Sequence, residues 1–169
     1  MDFTLTPDQQ RLREQARHLA ETVVAARAAE VDRTESYPWD NVAALRDAGL
    51  MGYTVPRAYG GNGGSFLDAA IVIEEMARVC GVTGRIAVEA NMGAISAVMR
   101  YGSEPQRRLA AELVLAGDKP AICITEPDAG SAATDPRRPP RRALRAERQE
   151  ALDHRRRRLP PAPDLRPRV

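Results

Sequence analysis

Three times in its first 118 residues the chain writes a helix start of one kind, a hydroxyl residue followed three positions later by a side chain able to return its hydrogen bond. Thr6-Pro7-Asp8-Gln9 is the first, Ser65 with Asp68 the second, and Ser103-Glu104-Pro105-Gln106 the third. In such a box the hydroxyl accepts from the third residue's N–H while that residue's side chain reaches back, and a proline fits the first turn. Apolar residues then recur at helical spacing. Leu12, Ala16, Leu19, Ala20, Val23 and Val24 form one stripe, leaving Arg13, Glu14, Arg17 and Glu21 for solvent. Ile71, Ile73, Met76 and Val79 form another, closed by Gly81, and Leu109, Leu113 and Leu115 a third. Two further helices are predicted: about Trp39 to Ala48, ended by Gly49 as a left-handed cap, and Ile86 to Met99, apolar on most faces and expected to be the most buried. The predicted fold class is mainly α, a bundle of about five helices over residues 1–118.

Composition narrows the function classes. With 43% apolar and 28% charged residues the chain reads as a soluble globular protein. Cys80 and Cys123 are its only cysteines, without a CxxC or Cys/His cluster, so neither a disulfide framework nor a metal site is expected, and both read as small buried hydrophobes. The start, Met-Asp-Phe-Thr-Leu-Thr-Pro, carries no basic-then-apolar leader, and no stretch approaches the roughly 20 apolar residues of a membrane span. A cytoplasmic location without a membrane span is the expectation. The segment from Gly52 to Gly64 is rich in glycine but has no GxxxxGK[ST] pattern and no convincing strand before it. It reads as a turn-rich connector needing positive backbone angles rather than a phosphate cradle.

After the turn Gly117-Asp118-Lys119-Pro120, the run Ala121-Ile122-Cys123-Ile124-Thr125 is of β type. A lone strand cannot satisfy its backbone groups, so residues 119–135 are expected to open a second, sheet-containing domain that is cut short. The strand delivers a hydroxyl at Thr125 and then breaks at Pro127. Gly130 lets backbone approach a ligand closely, and Ser131 adds a second hydroxyl. That suits a polar ring held at Thr125 and a pyrophosphate near Gly130 and Ser131, although an ordinary structural turn has the same composition.

Thr125-Glu126-Pro127-Asp128-Ala129-Gly130-Ser131 resembles the T-E-P-x-A-G-S signature of acyl-CoA dehydrogenases. The opening acidic-capped helix, Ala48-Gly49-Leu50-Met51-Gly52, and Val55-Pro56 followed by Tyr59-Gly60-Gly61 agree in type and order, so the resemblance covers residues 1 to about 135. It implies an N-terminal helical domain, an opening middle β-domain and FAD as cofactor. It further implies that Ile122, Cys123 and Ile124 contribute backbone and packing to the flavin, that Thr125 hydrogen-bonds its ring, and that Gly130 and Ser131 contact it. Ser131 would also reach the acyl-CoA substrate. The sequence departs from the family pattern at Ile122, where an aromatic often stands, and at Ala132, where an Asp often stands. The family reaction is α,β-dehydrogenation, with the α-proton going to a carboxylate and the β-hydride to flavin. That carboxylate belongs to the family's C-terminal domain. No catalytic residue is therefore assigned here, Glu126 reads as part of the turn, and the chain is expected to be inactive. Intact family members are expected to be homo-oligomers.

From Pro136 the character changes. Residues 1–135 carry 13 basic and 19 acidic side chains, and residues 136–169 carry 12 and 4, so the balance flips from −6 to +8. Arg and Pro dominate the second segment, and Phe, Tyr, Trp and Ile are absent from it. A disordered basic tail is the expectation. A non-catalytic helical module with a basic arm for nucleic acid or another acidic partner is the alternative reading, but no aromatics are interleaved to stack bases. A paired-subunit relative that lends its helical surface to an active partner is a third. A shifted reading frame explains the tail better. Family members continue toward a stretch resembling Y-V-L-N-G-K-K-x-W-I-T. Coded with G/C-rich codons and read from the third codon position, that stretch becomes Arg-Ala-Glu-Arg-Gln-Glu-Ala-Leu-Asp-His, the residues from Arg145 to His154. Shifted the same way, Arg155 to Arg158 decode as a glycine-rich turn and the last residues as an apolar strand pattern. One inserted or two deleted nucleotides between about Ser131 and Pro136 would produce this, so residues 136–169 are expected to be out of frame.

Overall fold

The computed structural model describes residues 4–118 and 120–122, and among them the only regular elements are helical. A first helical run comprises α1 (Pro7–Leu19), a π turn (Ala20–Val24) and α2 (Ala25–Thr34) without interruption. Then come α3 (Trp39–Asp47), a 3-10 turn (Arg57–Tyr59), α4 (Phe66–Val79), α5 (Gly81–Asn91), α6 (Ala94–Tyr101) and α7 (Glu104–Leu115). The compact unit made by this part of the chain runs to Ile122.

The boxed starts form as their chemistry dictates. Thr6 Oγ1 accepts from Gln9 N–H at 3.2 Å and Gln9 Oε1 accepts from Thr6 N–H at 3.1 Å. Ser65 Oγ accepts from Asp68 N–H at 3.2 Å, and Asp68 Oδ2 accepts in return at 2.7 Å. Gln106 closes the third box at 2.8 Å on Ser103 N–H. The first two boxes are also joined, because the spare amide of Gln9 donates to Asp68 Oδ1 at 3.0 Å. This ties the start of α1 to the start of α4, and both helices then face one core. Ala16, Ala20 and Val24 are fully buried, and the π turn, where Ala25 N–H bonds back to Ala20 O, adds a residue without taking Val24 off the core face. Leu45, Leu50, Met51, Val55, Val72, Met76, Ile86 and Ile95 fill the centre.

Two sequence expectations are corrected. The segment from Ile86 to Met99 is two helices, because Met92 and Gly93 leave helical geometry (Met92 φ −125°, Gly93 ψ −123°). Only its first half is deeply buried, since α6 buries Ile95 alone while Tyr101 is exposed. Gly81 does not close a helix. Cys80 breaks the chain in extended backbone (φ −145°, ψ 108°), and Gly81 begins α5. Arg17 is exposed as expected, but its guanidinium also reaches across to α4 and pairs with the buried Glu75. Gly49, by contrast, does end α3 with φ +69°, and Cys80 is buried as expected. Of the strand predicted from Ala121 to Thr125, only Ala121 and Ile122 fall among the described residues, and neither pairs in a sheet. The remainder, and the whole segment 136–169, lie outside them.

Candidate functional site

Of the six residues singled out as cofactor or substrate contacts, Ile122 alone is described; Cys123, Ile124, Thr125, Gly130 and Ser131 lie outside the described residues. Ile122 is 54% exposed and rests at the junction of α5 and α6. Its Cδ1 would stand 3.7 Å from a Cβ at Gly93. That is an ordinary van der Waals distance, so Ile122 lies beside Gly93 without depending on its lack of a side chain.

Asn91, which sequence reasoning did not single out, holds this junction. Fully buried at the last turn of α5, it donates from Nδ2 to Leu50 O and Ala87 O, both at 3.0 Å, and accepts from Tyr53 N–H at 2.6 Å. The Thr54 hydroxyl donates to Asn91 O at 2.5 Å. One side chain therefore clamps the segment from Leu50 to Thr54 onto the helix end beside Gly93. An asparagine before a glycine-bearing break was the one available signal, and it does not by itself identify a brace. Nearby, burial pushes the Tyr37 phenol up to about 12, with help from the charges of Glu89 and Asp118.

The glycine-rich connector is no phosphate cradle. Its N–H groups are spent inward: Gly63 donates to Val55 O at 2.9 Å, Gly64 to Tyr53 O at 2.9 Å, and Gly61 to Pro56 O at 3.3 Å. A Cβ on Gly61 would lie 2.1 Å from Val55 O, so this glycine serves chain crossing. Gly52, Gly60 and Gly63 have φ of +64°, +89° and +67°, the positive angles expected of a connector.

An open cleft of about 580 Å³ lies where this connector meets the starts of α1 and α4, lined by Asp8, Gln9, Arg11, Tyr53, Arg57 and Asp68 among others. Its charged groups are already engaged. Arg11 pairs with Asp8, Arg57 Nε donates to Asn62 O at 3.2 Å, and Asp68 serves both capping boxes. Burial raises the Asp68 carboxyl, yet the hydrogen bonds from Ser65 N–H, Gln9 and the Ser65 hydroxyl outweigh it and hold the group below its usual range. Asp68 is thus a fixed anion and not a proton carrier.

The strongest electrostatic feature is structural as well. Glu75, with its side chain 4% exposed, accepts from Arg17 at 2.8 and 3.1 Å and from Arg78 at 3.2 Å, and Arg78 continues to Glu21 at 2.8 Å. The hydrogen bond from Arg17 lowers the Glu75 carboxyl against the opposing effect of burial, with the charges of Arg17 and Arg78 adding to it. Among the described residues no group of three or more His, Cys, Asp or Glu could hold a metal ion, and no helix is long and apolar enough to cross a membrane. What these residues provide is a braced helical platform, with Ile122 at its edge.

Comparison with known proteins fits that picture. Residues 6–118 match the sequence model of the acyl-CoA dehydrogenase N-terminal domain. The chain is 61% identical over 133 residues to a 3-sulfinopropanoyl-CoA desulfinase of Advenella mimigardefordensis, covering 79% of this chain and 33% of that protein. It is 38% identical over 132 residues to a short-chain specific acyl-CoA dehydrogenase of Clostridium acetobutylicum, covering 78% and 35%. The fold superposes on butyryl-CoA dehydrogenase from Megasphaera elsdenii with a TM-score of 0.72 at 26% identity, covering 79% of this chain and 36% of that one. The chain spans about a third of the length of the curated relatives it matches.

Proposed function

The chain belongs to the acyl-CoA dehydrogenase family, and from that premise we propose that it supplies the N-terminal helical domain of a flavin-dependent enzyme acting on a CoA thioester. The observation that carries the substrate is the higher identity to the desulfinase, 61% against 38% for the short-chain dehydrogenase. We take 3-sulfinopropanoyl-CoA as that substrate. Hydrolytic loss of its sulfinate group replaces the C3–S bond by C3–H, consumes one water, releases sulfite and leaves propanoyl-CoA. That reaction is redox-neutral. Dehydrogenation of a saturated acyl-CoA removes two electrons from the same C2–C3 bond and needs an acceptor for them.

FAD is the proposed cofactor, and when bound it supplies a two-electron acceptor. The half-exposed Ile122, lying beside Gly93, suits packing against an apolar ring face. Cys123 and Ile124 would add backbone and packing, Thr125 a hydroxyl for the ring's polar edge, and Gly130 a close backbone approach. Ser131 would serve both cofactor and thioester. No residue of this chain is proposed as a base. Residues 119–135 open the second domain in this reading, and residues 136–169 are out of frame. The compared alignments, 132 and 133 residues long, fall within three residues of the length preceding Pro136, which supports that reading.

Reading the gene from Ser131 onward tests the frame: the shifted frame must encode a Trp-Ile-Thr run and continue open, and an early stop refutes it. The 169-residue chain and its frame-restored form are then compared. The restored protein is expected to be yellow and to release sulfite from 3-sulfinopropanoyl-CoA without reducing an acceptor dye. The 169-residue chain is expected to do neither, and stoichiometric FAD on it would refute its incompetence. Dye reduction with saturated acyl-CoA and no sulfite would move the assignment to ordinary dehydrogenation.

A further inference from the structure

The chain has three asparagines, and they sit in opposite chemical situations. Asn41 and Asn91 are fully buried in helices and are followed by Val42 and Met92. Asn62 is exposed in the connector and is followed by Gly63, which has no side chain to hinder attack by its own nitrogen. We propose that Asn62–Gly63 is the spontaneous deamidation site of this domain, that the turn holding it gates the reaction, and that conversion releases the connector from α3.

The chemistry needs only water. Gly63 N attacks the Asn62 side-chain carbon, the N–Cγ bond forms, and the Cγ–Nδ2 bond breaks. Ammonia leaves, carrying the proton from Gly63 N. Water then opens the five-membered imide at either carbonyl and leaves an aspartate or isoaspartate at position 62. The fold opposes the first step at both ends. Gly63 N–H is engaged with Val55 O at 2.9 Å, and Asn62 Nδ2 is engaged with Gly49 O at 3.0 Å. A third bond, from Arg57 Nε to Asn62 O at 3.2 Å, fixes the peptide between the reacting atoms. Attack therefore requires local opening of the turn. Once it has occurred, the donor facing Gly49 O is replaced by an oxygen, so the contact that ties the connector to the end of α3 becomes repulsive. An isoaspartate also lengthens the backbone by one carbon beside the Arg57 contact.

The test ages the 169-residue chain in mildly alkaline buffer, with and without urea, and maps mass by peptide. The expected gain of about 1 Da is confined to tryptic peptide 58–78. It accumulates at least about tenfold faster in urea, the factor given by an opening free energy of about 1.4 kcal/mol. Asn62→Gln should abolish it. The aged parent chain and Asn62→Asp should both be cut by trypsin after Arg57 several-fold faster than fresh protein. Equal rates with and without urea would overturn the gating, and earlier conversion at Asn41 or Asn91 would overturn the site. Unchanged cleavage after Arg57 in both the aged chain and Asn62→Asp would overturn the release.

Discussion

Gly84 sets two local rules against each other, and the sign of its replacement by alanine decides between them. It lies inside α5, where alanine is favoured over glycine by about 1 kcal/mol, so propensity alone predicts a more stable protein. The packing predicts the reverse. A Cβ at Gly84 would lie 2.5 Å from Ala77 Cβ, 2.6 Å from Ala77 Cα and 2.9 Å from Ala77 N. Carbon atoms rest at about 3.5–4.0 Å, so α4 and α5 must part by about 1 Å, and two of the three opposing atoms are backbone that cannot rotate away. Overpacking of this kind costs about 1–3 kcal/mol. Opening the buried seam around Met76 and Ala87 by even about 50 Å³ adds about 1 kcal/mol. Set against the propensity gain, Gly84→Ala is expected to destabilise by roughly 1–3 kcal/mol. Urea unfolding followed by helical circular dichroism should show a midpoint lower by about 1 M. Gly81 is the internal control, because it starts the same helix with nothing within 4 Å of a Cβ and no positive φ. Gly81→Ala should leave the midpoint unchanged or raise it. If Gly84→Ala also raises it, the close approach of α4 and α5 is wrong.

Asn91→Ala strands Tyr53 N–H and Leu50 O in a buried place, so a loss of roughly 2 kcal/mol or more is expected in the same unfolding assay. Arg17→Met removes the main cause of the lowered Glu75 carboxyl while burial continues to push that group up. Because a depressed carboxylate stabilises above its unfolded value of about 4.3 and ceases to as pH falls through its folded one, the parent's advantage over this variant should be largest near neutral pH. It should shrink as the pH falls below that unfolded value, and a gap that does not change with pH would refute the coupling.

What could be read from sequence was local. The boxes at Thr6, Ser65 and Ser103 were legible because both partners lie within four residues, and Gly49 because a left-handed cap is set by one residue's own backbone. Gly81 misled for the same reason: glycine usually ends helices, but here the break belongs to Cys80, whose extended conformation nothing local dictates. The division at Met92 and Gly93 was hidden inside an apolar run with no proline or cap to mark it. Arg17 and Glu75 stand 58 residues apart, and charge pattern along one helix cannot reveal a partner on another. The candidate site divides the same way. Thr125 to Ser131 stood out as a contiguous motif, whereas Asn91, which clamps Leu50 to Thr54 onto the end of α5, acquires that role only through contacts made by the folded chain.

The bond between Gln9 and Asp68 bears on the order in which the chain acquires its shape. Each capping box can form from residues a turn apart, within a nascent helix. The link between them spans 59 residues and must wait until α4 has returned beside α1. A loop of that length closes at an entropic cost that local structure cannot offset. The extreme N-terminus should therefore gain its full complement of bonds late, and exchange at the Gln9 side-chain amide, unlike that at the backbone N–H of Thr6 and Gln9, would report the docking of two distant helices rather than the birth of one.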